Sequence, residues 1–131
     1  MTKKEQIMAT LEKMGYNPDY DNDGDIMLRY EMKTIFVMTD NEDETYVSVI
    51  LPQFYEIEDG EETLVLVTCN KVSCELKMVK AYIDQTFKNV SASCEFFFTN
   101  EDALELNLRH SLELLGMIRS TFRKKMKELS D

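Results

Sequence analysis

The residues best suited to chemistry form an acidic turn near the start of the chain, at residues 19–25. Asp19, Asp21 and Asp23 occupy alternate positions, as the first ligands of a calcium-binding loop do. The twelfth position of such a loop supplies a bidentate carboxylate, but Tyr30 stands there. We therefore expect an acidic turn before a strand, in which Asp19, Asp21 and Asp23 are candidates for weak cation binding.

Catalytic chemistry has few other candidates in this chain. His110 is the one histidine, so sites built from several imidazoles are excluded, and its sequence neighbours form no catalytic triad motif. The four glycines are isolated and cannot form a phosphate-binding loop. Cys69, Cys74 and Cys94 contain no CxxC pair and are interpreted as reduced, small apolar fillers. We expect no enzymatic activity and no cofactor.

A mixed set of helices and strands must position these residues. Thr2 and Glu5 match a capping box and predict a helix over residues 2–14, which Gly15 ends. Alternating apolar residues then predict a meander of three antiparallel strands, with two further strands after a central helix. The predicted strands cover residues 25–31, 34–40, 45–55, 76–84 and 91–98.

The central and last helices complete the predicted fold. Residues 59–78 contain β-branched residues that favour a strand, but Val65, Cys69, Val72 and Leu76 share a helical stripe, so we predict a helix. Thr99 and Asp102 predict the cap of a long last helix. Its apolar stripe comprises Leu104, Leu108, Leu112, Leu115, Ile118, Phe122, Met126 and Leu129.

The resulting order, α-β-β-β-α-β-β-α, predicts one α+β domain over residues 1–131. Its sheet is antiparallel with about five strands, and a long helix ends the chain. No segment has the pattern of a signal peptide or a membrane helix. A cytoplasmic protein without a membrane partner is therefore expected.

Charge is distributed unevenly along this chain. With 15 basic and 25 acidic residues, the net charge of −10 disfavours a nucleic-acid partner. Nine acidic residues and no basic ones lie between Lys33 and Lys71, whereas residues 119–131 contain five basic residues and two acidic ones. This basic tail either stabilises the C-terminal end of a helix dipole or docks on the acidic middle, within the chain or across a dimer.

The predicted strands carry large apolar residues on both faces. Because side chains alternate along a strand, runs of consecutive apolar residues point to opposite sides of the sheet. Three helices either divide between the faces or leave one face to a partner. The candidate contact residues are Phe36, Met38, Ile50, Phe97 and Gly116. Gly116 interrupts the long helix, either as a weak point or as a site of close approach.

The order and spacing of these elements resemble the YbjN-like family of bacterial sensory transduction regulators, whose fold is similar to that of type III secretion chaperones. The matching stretches are residues 11–16, the turn at 23–26, Asn70, residues 80–84 and the helix at 99–126. The resemblance implies a small, dimeric α+β domain without enzymatic activity that binds another polypeptide or serves a regulatory role.

We therefore expect a non-enzymatic, chaperone-like protein-binding module, with a regulatory role in bacterial signalling as one form of it. It would act through an apolar sheet or helix face on another polypeptide or on a second copy, as a homodimer. The alternative is a regulator that responds to a divalent cation or another ligand at the acidic turn.

Overall fold

Three helices and six strands make up the part of the chain that the computed structural model describes, residues 1–39 and 42–130. They are α1 (Lys3–Lys13), β1 (Asp19–Tyr20), β2 (Ile26–Tyr30), β3 (Lys33–Met38), β4 (Tyr46–Glu56), α2 (Glu62–Glu75), β5 (Val79–Ile83), β6 (Asn89–Phe97) and α3 (Glu101–Ser130). This order confirms the prediction, apart from the two-residue β1, which the sequence patterns missed. The end of the predicted strand 34–40, at Asp40, and the adjoining Asn41 lie outside the described residues.

The strands form one antiparallel sheet in the order β1-β2-β3-β4-β6-β5. β2, β3 and β4 are the predicted meander. Glu31 and Met32 connect β2 to β3, and both have positive φ, at 48° and 67°. A two-residue turn with this geometry matches the twist of a hairpin, and it returns the chain directly alongside β2.

All three helices cover the same face of the sheet. Along β2, β3 and the first half of β4, every second residue is buried in the core that the strands share with the helices. These core residues are Ile26, Leu28, Ile35, Val37, Val47, Val49 and Leu51. The residues between them are half-buried or exposed. The alternative in which the helices divide between the two faces is therefore not observed.

A bulge in β4 changes which residues face the core. The pairing with β6 shifts between Leu51 and Tyr55, and Gln53 has a φ of 50° with its N–H donating to Ser91 Oγ at 2.9 Å. The extra residue turns Phe54 toward the helices, where its ring meets Phe122 edge-on at 5.4 Å between centroids. The bulge thus anchors α3 to the middle of the sheet.

The predicted cap of α1 is confirmed, and the predicted cap of α3 is corrected. Thr2 Oγ1 accepts the Glu5 N–H at 3.1 Å, and Thr2 N–H donates to Glu5 Oε1 at 3.0 Å. At α3, it is Asn100 Oδ1 that accepts the Ala103 N–H, at 2.8 Å. Asn100 therefore caps this helix in place of Thr99, because it directly precedes the first helical residue.

The ambiguous central stretch is a helix, as its stripe predicts. Val65, Cys69 and Val72 are buried in α2, which packs against α3 and β5. Leu76 ends this helix in an extended conformation. On α3, the predicted stripe is buried from Leu104 to Met126, with Leu129 half-buried. Burial of these stripes outweighs the local strand propensity of α2.

The outer edge of β5 is covered by α2. Ser73 Oγ accepts the Ala81 N–H at 2.9 Å and donates to the Ala81 carbonyl oxygen at 3.4 Å. Backbone groups at a sheet edge can pair with another chain when they are left free. This contact therefore protects the edge of β5 from unwanted pairing.

We expect Ser73→Ala to lower the free energy of unfolding by about 1 kcal/mol, because the Ala81 N–H loses its partner. Unfolding in urea measures this change. Ser120→Ala is the matched control, since the exposed Ser120 hydroxyl donates to the Met117 carbonyl oxygen of its own helix. Equal losses in the two variants would contradict the edge-covering role of Ser73.

Candidate functional site on the open face of the sheet

One face of the sheet has no described element packed against it, and we call it the open face. It consists of the strand residues that alternate with the core positions. They are Met27, Arg29, Thr34, Phe36, Met38, Tyr46, Ser48, Ile50, Lys80, Tyr82, Ser93, Glu95 and Phe97. Most of these side chains are uncharged, in a protein whose net charge is −10. Such a surface is typical of a contact site.

The sheet brings four of the five predicted contact residues together on the open face. Phe36 on β3 lies directly opposite Ile50 on β4. Met38 lies two residues further along β3 on the same face. Phe97 on β6 lies opposite Tyr46 on β4. The strand register therefore gathers residues that are far apart in the sequence, and their role in binding stays a prediction.

Phe97 is the most exposed large side chain among these four. It is 65% exposed, although its ring lies 5.4 Å from the Tyr46 ring at an interplanar angle of 55°. Full burial of a phenylalanine side chain contributes roughly 1.5–3 kcal/mol. A partner that covered this aromatic pair would gain much of that free energy.

A polar cluster around Glu95 lies next to these apolar residues. Lys80 Nζ lies 2.5 Å from Glu95 Oε1, and Ser93 Oγ donates to the same oxygen at 3.1 Å. The Tyr46 hydroxyl donates to Glu95 Oε2. Lys80 also lies over the Tyr82 ring, 5.8 Å from its centroid. The cluster holds one carboxylate and one ammonium group in fixed positions beside the aromatic pair.

The surroundings shift the pKa values in this cluster. Burial raises the pKa of Glu95, but the hydrogen bonds from Lys80, Tyr46 and Ser93 outweigh this effect and lower it overall. Burial and the hydrogen bond to Glu95 raise the pKa of Tyr46 to about 12. Near neutral pH the cluster therefore contains an ionised carboxylate that accepts a hydrogen bond from a protonated phenol.

This arrangement predicts an acid-sensitive contribution to stability. Because the folded-state pKa of Glu95 is lowered, its contribution is present above the ordinary value of 4.5 and is lost as the pH falls through the folded-state value. The stability difference between the wild-type protein and Glu95→Gln is therefore expected to shrink between about pH 7 and about pH 3. Urea unfolding at both pH values measures it, with Glu12→Gln as an exposed control on α1. A difference that stays constant with pH would contradict this account.

Gly116, the fifth predicted contact residue, lies on α3 and not on the open face. A Cβ atom at this position would stand 2.7 Å from Tyr30 Cε2 and 2.9 Å from Glu31 Oε1. The glycine is therefore a site of close approach, but the element that approaches is the β2–β3 hairpin of the same chain. A direct role in binding stays a prediction.

The acidic turn uses its carboxylates to hold its own backbone. Asp21 Oδ1 accepts the N–H groups of Asp23 and Asp25 at 2.8 and 2.9 Å, and Asp19 Oδ1 accepts the Tyr20 N–H at 2.9 Å. Among the described residues, no group of three or more His, Cys, Asp or Glu side chains is arranged to hold a metal ion. The local geometry therefore fits a turn stabilised by aspartates.

The basic tail makes its long-range ion pair with α2. Lys125 Nζ lies 3.0 Å from Glu75 Oε1 and 3.2 Å from Glu128 Oε2. Within residues 1–39 and 42–130, no ion pair joins the tail to the acidic segment 42–62. Asp40 and Asp131, which belong to the predicted charge segments, lie outside the described residues. Docking of the tail across a dimer stays a prediction.

The histidine and the cysteines have different environments. His110 is exposed on α3. Burial raises the pKa of Cys69 to about 11 and that of Cys94 to about 12, which fits the predicted apolar fillers. Cys74 is exposed, so the same prediction is wrong for this residue.

None of the described helices combines the length and the apolar character needed to cross a membrane.

Sequence reasoning missed the cluster around Glu95. Lys80, Glu95 and Tyr46 belong to three strands, and only the register of β4, β6 and β5 brings them together. One signal was available, because Glu95 is a charged residue within an otherwise uncharged strand. Because side chains alternate between the two faces of a strand, Glu95 and Phe97, which are two residues apart, are expected on the same face.

Comparisons with known proteins identify what this chain is similar to. Residues 2–127 match the family described as T3SS (YopN, CesT) and YbjN peptide-binding chaperone 1. The crystal structure of YbjN from E. coli is similar with a TM-score of 0.63 and 15% sequence identity, over 87% of this chain and 86% of that one. An uncharacterized protein from Methanothermobacter thermautotrophicus has 12% identity over 92% and 99% of the two chains, with a TM-score of 0.47, which is too low to establish a shared fold. No curated protein matches the sequence.

Proposed function

Because this chain belongs to the family of T3SS and YbjN peptide-binding chaperones, we propose that it binds an extended segment of another polypeptide on the open face of its sheet. Membership in this family supports a protein-binding role and points to a non-enzymatic module. The position of the binding surface is our inference from the geometry.

The observation that carries this proposal is the uncovered cluster of large apolar residues. Phe36, Ile50 and Phe97 lie on three adjacent strands, and no described element packs against their face. Burial of apolar side chains that are in contact with water is favourable, so a partner that covers them gains binding free energy. The three helices already bury the other face of the sheet, so a partner that docks on the sheet meets this face.

An extended peptide fits the spacing of these residues. Side chains on one face of a strand recur about every 7 Å, and Phe36 and Met38 have this spacing along β3. A peptide lying along the strands presents its own alternate side chains at the same interval. Its apolar residues can then meet successive apolar residues of the open face.

The cluster around Glu95 supplies the polar part of the surface. Apolar contacts alone select poorly among sequences, whereas a few fixed polar groups determine the orientation of a ligand. Glu95 and Lys80 present a carboxylate and an ammonium group next to Phe97 and Tyr46. A peptide that carries a hydrogen-bonding group beside an aromatic residue would match this part of the face.

Selection from a display library of random peptides of about ten residues tests this function, because β6 is nine residues long. We expect apolar and aromatic residues to be enriched at alternate positions. Calorimetry with the most enriched peptide is expected to show a negative heat-capacity change, since apolar surface is buried. Failure to enrich any peptide over a heat-unfolded control would contradict the proposal.

The homodimer, a regulatory role in bacterial signalling and a cytoplasmic location stay predictions. Light scattering tests the dimer, since the monomer mass is 15.3 kDa. A dimer that forms through the open face would compete with the peptide. In that case we expect the selected peptide to lower the mass to that of the monomer.

A further inference from the structure

Two adjoining pockets lie where the β2–β3 hairpin meets α3. One has a volume of about 300 Å³ and is lined by Lys33, Gly116, Arg119, Ser120 and Arg123. The other, of about 430 Å³, also contains Lys33 and Arg119. Because the pockets share these two residues, they lie side by side, and we call the two together the basic groove.

No described carboxylate forms an ion pair with the cations of the basic groove; that of Glu31 borders the groove beside Gly116. In the described part of the chain, no carboxylate lies within 4 Å of the guanidinium groups of Arg119 and Arg123 or of Lys33 Nζ. Among the described groups, Lys33 Nζ donates to the Glu31 carbonyl oxygen, at 3.4 Å. Three cations that form no ion pair with a described carboxylate therefore line one groove, in a protein with a net charge of −10.

The fold positions these cations through Gly116. Arg119 and Ser120 follow Gly116 by three and four residues, and Arg123 follows them by four and three, so these residues share one side of α3. The glycine lets the hairpin approach the helix closely, and Lys33 follows directly on that hairpin. Gly116 thus acts as a positioning residue that brings Lys33 beside the two arginines.

The basic groove continues onto the open face. Phe36, Pro52 and Thr34 line its larger pocket together with Lys33 and Arg119. Phe36 also belongs to the apolar cluster of the open face. A peptide that covers Phe36 therefore has its next residues within reach of the cations, because alternate residues of a strand are about 7 Å apart.

We propose that the basic groove binds a carboxylate of the bound peptide, so that the preferred partner is an acidic segment in which Asp or Glu lies next to large apolar residues. This inference rests on the proposed function and specifies the chemistry of its ligand. Arginine binds carboxylates through paired hydrogen bonds, and two arginines with one lysine match an acidic side chain or a C-terminal carboxylate. Since the protein as a whole repels anions, a preference for acidic peptides points to this local site.

The same library selection tests the inference, with the acidic content of the enriched peptides as the readout. We expect Asp or Glu beside an apolar position, and about a tenfold loss of affinity when that residue is changed to Asn or Gln. Arg119→Gln with Arg123→Gln should abolish this difference, so that the acidic peptide and its Asn or Gln variant bind the double variant with equal affinity. Lys124→Gln with Lys127→Gln removes the same charge from exposed positions of α3 outside the groove and should keep the difference.

The outcomes separate the two proposals. If no peptide is enriched, the proposed function fails. If peptides are enriched without acidic residues, or if the two double variants behave alike, the basic groove is not a carboxylate site while the proposed function stands. If the double arginine variant instead converts a dimer to a monomer in light scattering, a second copy occupies the groove and the inference is overturned.

Discussion

Replacing Ile50 with glutamate is expected to weaken binding of the selected peptide by about 30-fold or more. Ile50 lies at the centre of the open face, opposite Phe36 on one side and Ser93 on the other. Central, desolvated positions of an interface contribute roughly 2 kcal/mol or more, which corresponds to this factor. A carboxylate at this position would also have to be buried without a partner when the peptide binds.

Calorimetry measures the affinity of this variant, and urea unfolding checks that its fold is intact. Leu106→Glu on α3 is the control, because Leu106 is an exposed apolar residue that lies away from the open face, whereas Ile50 is half-buried on it. The control is expected to bind the peptide as the wild-type protein does. Equal affinity of the two variants would show that the peptide binds elsewhere.

Gly116→Leu is expected to lower the free energy of unfolding by about 3 kcal/mol, the upper part of the usual range for overpacking. The Cβ alone would come within 2.7 Å of the Tyr30 ring, and that ring cannot move away freely because it packs on Tyr16 at 5.9 Å between centroids. Replacing glycine inside a helix stabilises the helix by about 1 kcal/mol, which is smaller than the expected cost of overpacking, so the net effect is destabilising.

A double-mutant cycle separates this clash from other effects of the substitution. In a Tyr30→Ala background the ring is absent, so Gly116→Leu is expected to cost far less. Met117→Leu controls for a leucine at the neighbouring exposed position of α3. An equal cost of Gly116→Leu in both backgrounds would contradict the role of Gly116 as a site of close approach.

The order of the elements and most residues of the open face can be predicted from the sequence. Capping at Thr2, the stripe of α3 and the alternation in β3 are local patterns, and each is confirmed. Period-two alternation also separates Phe36 and Met38 from the core residues of the same strand. For this reason four of the predicted contact residues lie on one face.

Long-range contacts could not be predicted in the same way. The helices could divide between the faces or share one, because the strands are apolar on both sides. The cluster around Glu95 depends on a register among three strands, and the bulge at Gln53 depends on the pairing with β6. The approach of Tyr30 to Gly116, which also creates the basic groove, joins elements that are more than 80 residues apart.

Mapping of the bound peptide by two-dimensional NMR tests the central claim most directly. If the open face is the binding surface, the largest changes in amide shifts on adding the selected peptide occur in β3, β4 and β6, including Phe36, Ile50, Glu95 and Phe97. The residues of α1 and the exposed side of α2 should change little. Changes confined to the helices, with the strand residues unaffected, would contradict the account.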